Sequence, residues 1–230
     1  FGVKISFALP PVTEKEVFGE LSGSNPVLPP LDIASVAGYL ENQAYDVDIT
    51  DCFAEHMSAR ELMTRLEARK PDILGVTVDL PSLSSPLLPP AFYIARMYKK
   101  INPAACILFF GYYPTRFPER VLAHQEVDVA VLGEGEVTTL ELCRRLEKKE
   151  RLHGLKGIAF RENEGIVKNE RRELIDDLDM LPFPAYHLLP IEKYKICATS
   201  RKKKKQMTIM SSRGCPFDCY LCTSPNFWRR

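Results

Sequence analysis

The sequence has no long apolar run and no excess of either charge. Nowhere in its 230 residues do apolar side chains continue for the roughly 18 positions that a membrane-crossing helix requires. The amino-terminal stretch has neither the basic start nor the apolar core of a secretion signal. These absences point to the cytoplasm and to no membrane partner. Lys plus Arg total 31 against 30 for Asp plus Glu, a net charge of +1, which removes the electrostatic reason to expect nucleic acid. The basic run 201–205 has no interleaved aromatic residues to stack on bases and reads as a solvated loop. Histidine is scarce. His56, His124, His153 and His187 are the four, and their spacing does not suit a metal site.

A hydrophobic content of 45% with 27% charged residues is enough to bury a sizeable core. Apolar runs at 3–9, 45–50, 73–78, 106–110 and 127–132 alternate with helical periodicity at 31–42, 59–70, 91–101, 118–124 and 137–149. Ser58 and Glu61 have the spacing of a capping box opening the second of these helices. Strands rich in Val, Ile, Leu and Phe, with little polar alternation, belong in a parallel sheet covered on both faces. The fold class is therefore α/β, a Rossmann- or flavodoxin-like doubly wound parallel sheet in the order 2-1-3-4-5. The rhythm changes after residue 150. A hairpin is expected over 157–169, then a proline-bearing connector around 176–190, then a short strand at 206–210. This divides the chain into a first domain at 1–150, a hairpin and connector at 151–195, and the start of a second domain at 196–230.

In such a sheet ligands bind beyond the carboxyl ends of the strands. The loops after the first and third strands hold nine of the eighteen prolines. Proline has no amide hydrogen, so these loops make poor phosphate cradles, which counts against a flavin or P-loop nucleotide. A phosphorelay receiver is also disfavoured, because the acidic pair it needs after the first strand is replaced by Pro10 and Pro11. The fourth and fifth strands end in glycine-bearing turns, FGYYPT at 110–115 and GEGE at 133–136. Glycine permits close backbone approach to a ligand, although a tight turn at a well-charged helix start explains GEGE equally.

Seven cysteines are present. Cys52, Cys106, Cys143 and Cys197 are scattered and read as core packing. Cys215, Cys219 and Cys222 form a C-x3-C-x2-C run within SSRGCPFDCYLC, 211–222. Three such thiolates suit one soft metal centre, either structural zinc or an iron-sulfur cluster. Zinc normally takes four protein ligands, whereas a cubane cluster can accept three cysteines and leave one iron open.

SSRGCPFDCYLC resembles the cluster loop of the radical S-adenosylmethionine superfamily. With it, VLPPLDIASVAGYL, KPDILGVTV, FGYYPT, DVAVLGEGE and LDMLPFPAY resemble the cobalamin-binding domain that one branch of that superfamily carries before its barrel. The resemblance implies a 4Fe-4S cluster on Cys215, Cys219 and Cys222, with S-adenosylmethionine on the fourth iron and beside Tyr220 and Leu221. It implies cobalamin over the sheet edge at Leu9, Pro10, Thr77, Val78, Asp79, Gly111, Tyr112, Gly133, Glu134, Gly135 and Glu136. The implied chemistry is methyl transfer to a substrate carbon through a 5'-deoxyadenosyl radical and methylcobalamin. Cyclisation or oxidation is the alternative within the family, and a zinc-stabilised binding protein the alternative outside it. Implied partners are a small-molecule substrate and an external electron donor of flavodoxin or ferredoxin type. The family's barrel would extend well past residue 230, so the chain is expected to be an amino-terminal fragment ending just after the cysteine motif, unable to catalyse alone. Three departures stand out. No histidine precedes His56, so the D-x-H-x-x-G motif is absent. Phe110 and Tyr113 occupy positions where related sequences carry glycine and histidine. Leu221 stands where an aromatic residue is usual.

Overall fold

The computed structural model describes residues 2–21, 26–78, 87–163, 165–194, 207–217, 219–220, 222 and 224–228. Its centre is a seven-stranded sheet in the order β2-β1-β3-β4-β5-β6-β7. The strands are β1 (Lys4–Leu9), β2 (Asp46–Asp51), β3 (Ile73–Thr77), β4 (Cys106–Phe110), β5 (Val129–Val131), β6 (Ile158–Glu162) and β7 (Gly165–Lys168). The first five pair in parallel, so the expected doubly wound order 2-1-3-4-5 is the observed one. The helices are α1 (Glu14–Phe18), α2 (Leu31–Glu41), α3 (Cys52–Glu55), α4 (Ala59–Arg69), α5 (Leu88–Ile101), α6 (Tyr112–Arg116), α7 (Pro118–Leu122), α8 (Glu136–Glu147) and α9 (Ser224–Trp228).

Each central strand buries side chains on both faces. Ile5, Phe7, Leu108, Phe110, Val129 and Val131 join α2 and α8 in one core. Leu74, Val76, Ile107, Phe109 and Ala130 join α4 and α5 in the other. This is the burial that their near-continuous apolar sequence anticipates. The capping box at α4 is present. The Ser58 amide donates to Glu61 Oε2 at 2.8 Å, and the Glu61 amide to Ser58 Oγ at 3.3 Å. A second box, Thr13 with Glu16, opens α1. The single-turn helices α3 and α6 are too short to leave a periodic signature in sequence.

Two features differ from the sequence reading. The expected hairpin forms as β6-β7 but also extends the sheet, which the sequence reading did not include, because β6 pairs antiparallel with β5 through Val129 with Phe160 and Val131 with Ile158. The strand expected at 206–210 does not form where it is described. Residues 207–210 carry no strand pairing, and the Tyr186 hydroxyl donates to the Thr208 carbonyl at 2.7 Å.

The connector is clamped along α2. The Ala185 amide donates to the Ala34 carbonyl at 2.8 Å, and Ala185 and Leu189 are buried in the α2 core. A Cβ added at Gly38 would stand 2.6 Å from the Phe183 carbonyl oxygen. Helix propensity favours alanine over glycine by about 1 kcal/mol, whereas overpacking against an immobile atom typically costs about 1–3 kcal/mol. The clash prevails because its partner is backbone. Gly38→Ala is therefore expected to lower the urea midpoint and to expose 181–186 to protease. A midpoint raised by the propensity gain, with unchanged cleavage, would show that the connector is not held against α2.

Candidate functional site

The carboxyl ends of β1, β3, β4 and β5 lie side by side at one edge of the sheet. Pro10 and Val78 are buried there, and Leu9 is partly buried. Thr77 is buried, and its hydroxyl lies 3.4 Å from Asp32 Oδ2, at the start of α2. Burial raises the Asp32 carboxyl above its ordinary range. The Ile33 amide and Thr77 oppose that rise, and the charge of Glu136 adds to it. Asp79 and Leu221, both expected at the site, lie outside the described residues.

The two glycine turns are tied together by one side chain. Thr115 Oγ1 donates to the Gly111 carbonyl at 2.8 Å and accepts from the Gly133 amide at 3.0 Å. Gly111 has φ 105° and Gly133 φ 83°, backbone that L side chains rarely adopt. Beyond its two chain neighbours, nothing lies within 4 Å of a Cβ built at Gly133, so a ligand can approach its backbone directly. Gly135 is different. There a Cβ would meet Val36 Cγ2 at 2.8 Å, which makes this glycine a packing requirement between α2 and the turn.

Glu134 and Glu136 do not point their carboxylates into open space. Both accept from Arg213, Glu134 Oε1 from Nη1 at 2.9 Å and Glu136 Oε1 from Nη2 at 2.5 Å, and the three side chains are 4%, 3% and 8% exposed. Ser35 Oγ donates to Glu136 Oε1 at 2.7 Å, and the Ile175 amide to Glu134 Oε2 at 2.6 Å. Glu136 is also the first residue of α8, where the helix dipole favours a carboxylate. Burial works against the Arg213 charge, but Glu136 and Glu134 outweigh it and hold the guanidinium more firmly protonated. Sequence reasoning passed over Arg213, Thr115 and Ser35. The usable signal was the pair of carboxylates two residues apart at a helix start, which requires a cation if buried.

Arg213 stands two residues before Cys215, so this ion triad anchors the cysteine loop to the end of β5. The other end of the loop is anchored through α9. Phe227 packs on Tyr112 with ring centroids 4.5 Å apart, and the Arg213 guanidinium lies 5.6 Å from the centre of the Trp228 ring. A shallow recess of about 10 Å³, room for no more than a water molecule, lies between the GEGE turn, residues 171–174 and Phe227. The cysteine loop and the predicted corrin contacts thus share one edge of the sheet.

The donor set suits an iron-sulfur centre. Cys215 is partly exposed, Cys219 and Cys222 are exposed, and none is in a disulfide. The Ser224 amide donates to Cys222 Sγ at 3.4 Å, the kind of bond that tunes cluster thiolates. Among the described residues no three His, Cys, Asp or Glu side chains stand close enough to share a metal ion. The thiols therefore do not converge as placed, and such loops are drawn together by the metal they bind. The edge itself suits an amide-fringed corrin, with an open glycine backbone at Gly133 and buried apolar residues, Pro10 and Val78, at other strand ends of the same edge.

A family model described as a B12 binding domain matches residues 24–143. An uncharacterized methyltransferase of Pyrococcus horikoshii is 34% identical over 226 residues, which is 96% of this chain and 45% of the relative. An anaerobic magnesium-protoporphyrin IX monomethyl ester cyclase of Synechocystis sp. is 30% identical over 204 residues, which is 88% of this chain and 39% of the relative. The chain spans less than half the length of these curated relatives. Among solved structures, the cobalamin-dependent S-adenosylmethionine radical enzyme OxsB, in its apo form, matches with a TM-score of 0.68 at 20% identity, covering 93% of this chain and 27% of that one. The radical S-adenosylmethionine methyltransferase TsrM of Kitasatospora setae, with cobalamin and a 4Fe-4S cluster bound, matches with a TM-score of 0.60 at 16% identity, covering 73% of this chain and 31% of that one. At these identities the structures attest the fold.

The cysteines separate by reactivity. Burial pushes the Cys52 and Cys143 thiols up to about 12 and raises Cys106 as well. In the metal-free chain at pH 8, iodoacetamide is expected to alkylate Cys215, Cys219 and Cys222 at least about 100-fold faster than Cys52, Cys106 and Cys143, because the thiolate is the nucleophile. Peptide mass mapping over time reads the rates. Equal rates in the folded chain would refute the assignment of the inner three to the core.

Proposed function

Because the chain belongs to the B12 binding domain family, we propose that it is the cobalamin-binding and cluster-bearing part of a radical S-adenosylmethionine enzyme that methylates a carbon centre. The observation that carries this reading is the seating of the cysteine loop, through Arg213, on the edge of the sheet where the corrin would lie. Two cofactors that must act on one substrate need fixed proximity, and this anchor supplies it. The methyltransferase names among the relatives support methyl transfer. The cyclase names support ring closure as the second reading.

Residues 1–150 would then form the cobalamin domain, 151–195 the hairpin and connector, and 196–230 the opening of the catalytic barrel. Cys215, Cys219 and Cys222 would hold the cluster, with Tyr220 and Leu221 beside S-adenosylmethionine. Leu9, Pro10, Thr77, Val78, Asp79, Gly111, Tyr112 and the GEGE backbone at 133–136 would face the corrin. When bound, the cluster supplies the electron that cleaves the S-adenosylmethionine carbon-sulfur bond and cobalamin supplies the methyl group. The protein's own contribution is positional. Thr115 fixes both glycine turns, the Gly133 backbone presents an open approach, and Arg213 with Phe227 holds the loop on both sides. The electron is expected to come from a flavodoxin- or ferredoxin-type donor, and the substrate to be a small molecule.

Anaerobic reconstitution of the 230-residue chain with iron and sulfide is expected to yield about four of each per chain, and titration with hydroxocobalamin to yield one corrin retained through gel filtration. A single zinc with no sulfide would replace the reading with a zinc-stabilised binding protein. Iron and sulfide without retained corrin would leave radical chemistry but remove cobalamin from it.

A further inference from the structure

Arg213 is two residues from the first cysteine, yet its guanidinium hydrogen-bonds back to the GEGE turn and to α2. It bridges Glu134 and Glu136, with Ser35 Oγ 3.4 Å from its second nitrogen. Four polar side chains from three separated segments meet there, and all are buried or nearly so. A surface ion pair would be screened and of little consequence. Here the removal of the cation would leave two carboxylates stranded away from water.

We propose that Arg213 is a positioning residue that latches the cysteine loop onto the carboxyl edge, so that Glu134 and Glu136 serve the cluster's placement and leave corrin contact to their turn's backbone. The inference deepens the proposed function and rests on it only for the identity of the two cofactors. Arg is suited to the task, because its planar fork reaches two carboxylates at once, which a Lys ammonium does less well. Of the charged groups around the triad, Asp32 faces Thr77 and acts on Glu136 electrostatically, and Arg171 and Arg172 line the recess beside Glu134.

The single tryptophan of the chain, Trp228, lies 5.6 Å from Arg213 and reports the latch directly. Indole emission overlaps corrin absorption, so hydroxocobalamin bound at the edge quenches Trp228 in proportion to its nearness. In Arg213→Gln, Trp228 emission is expected to shift to the red, and corrin-dependent quenching to fall at least about twofold, since a released loop spends much of its time farther away. Corrin retention should persist, and far-ultraviolet dichroism should verify the fold. Arg213→Lys is expected to restore part of the quenching. Adding Glu134→Gln and Glu136→Gln to Arg213→Gln should change the emission no further, because the three residues act as one unit. If Arg213→Gln lowers only the unfolding midpoint, while emission and quenching of the folded chain stay at wild-type values, the residue is structural and the proposal is overturned. Should the wild-type chain retain no corrin, the cobalamin reading fails alone, and the emission shift still decides for or against the latch.

Discussion

Helices close both faces of the five parallel strands, and that closure dictates where chemistry can occur. With Phe7, Leu74, Ile107, Phe109 and Val131 all turned into dry cores, no face of the central sheet remains for a polar ligand. The strand ends remain. At one end the chain departs by short turns with left-handed glycines, and there backbone amides and carbonyls are free of the ladder. The proline-rich loops after β1 and β3 leave the same edge with few amide donors, which suits an amide-fringed macrocycle better than a phosphate. The hairpin β6-β7 follows from the same constraint. By pairing with β5 it covers an edge strand that would otherwise be open to association.

Within that frame, the ion triad links the two parts of the chain. Breaking a buried pair by removing one partner costs about 3–5 kcal/mol, because the abandoned charge stays desolvated. This sum is comparable with a substantial fraction of a domain's net stability. Arg213 is thus held to the GEGE turn far more firmly than a loop residue held by exposed contacts. Additional fastenings distribute the load along α2 and β2: Ala185 on Ala34, and the Tyr194 hydroxyl donating to Asp51 Oδ2 at 2.8 Å. Burial raises both Tyr194 and Asp51 above their ordinary ranges, and Asp51 also caps α3 through the Ala54 amide. The connector is accordingly a structural strap, although its regular structure is confined to single 3-10 turns at Leu178–Met180, Tyr186–Leu188 and Ile191–Lys193.

The sheet was readable in the sequence because its signals are local. Runs such as ILGVT and CILFF, followed by periodic helices, report burial on both sides without knowledge of any partner. The Ser58 capping box is equally local, being complete within four residues. What escaped was non-local. The pairing of β6 with β5 depends on where α8 returns the chain, and the failure of 207–210 to become a strand depends on the absence of a pairing neighbour for it among the described residues. The candidate site divides the same way. The glycine turns and the cysteine spacing were visible, whereas the joining of Glu134 and Glu136 to Arg213 spans 79 and 77 residues. No periodicity records such a contact.

The two glutamates also show that carboxylates at the carboxyl edge can be committed to the protein itself. A corrin presents neutral amides at its fringe. A neutral hydrogen bond contributes a net of about 0.5–1.5 kcal/mol, too little to compensate a carboxylate moved out of water. Two carboxylates at 4% and 3% exposure require a full positive charge close by, whatever else occupies the edge. Arg213 meets that requirement, and the Ser35 hydroxyl, the Ile175 amide and the start of α8 supply the remaining donors. A neutral ligand arriving at Gly133 would gain nothing by displacing the guanidinium. The backbone of the GEGE turn and its side chains can therefore serve two different parts of the molecule at once, the backbone facing the open edge and the carboxylates holding the cysteine loop against it.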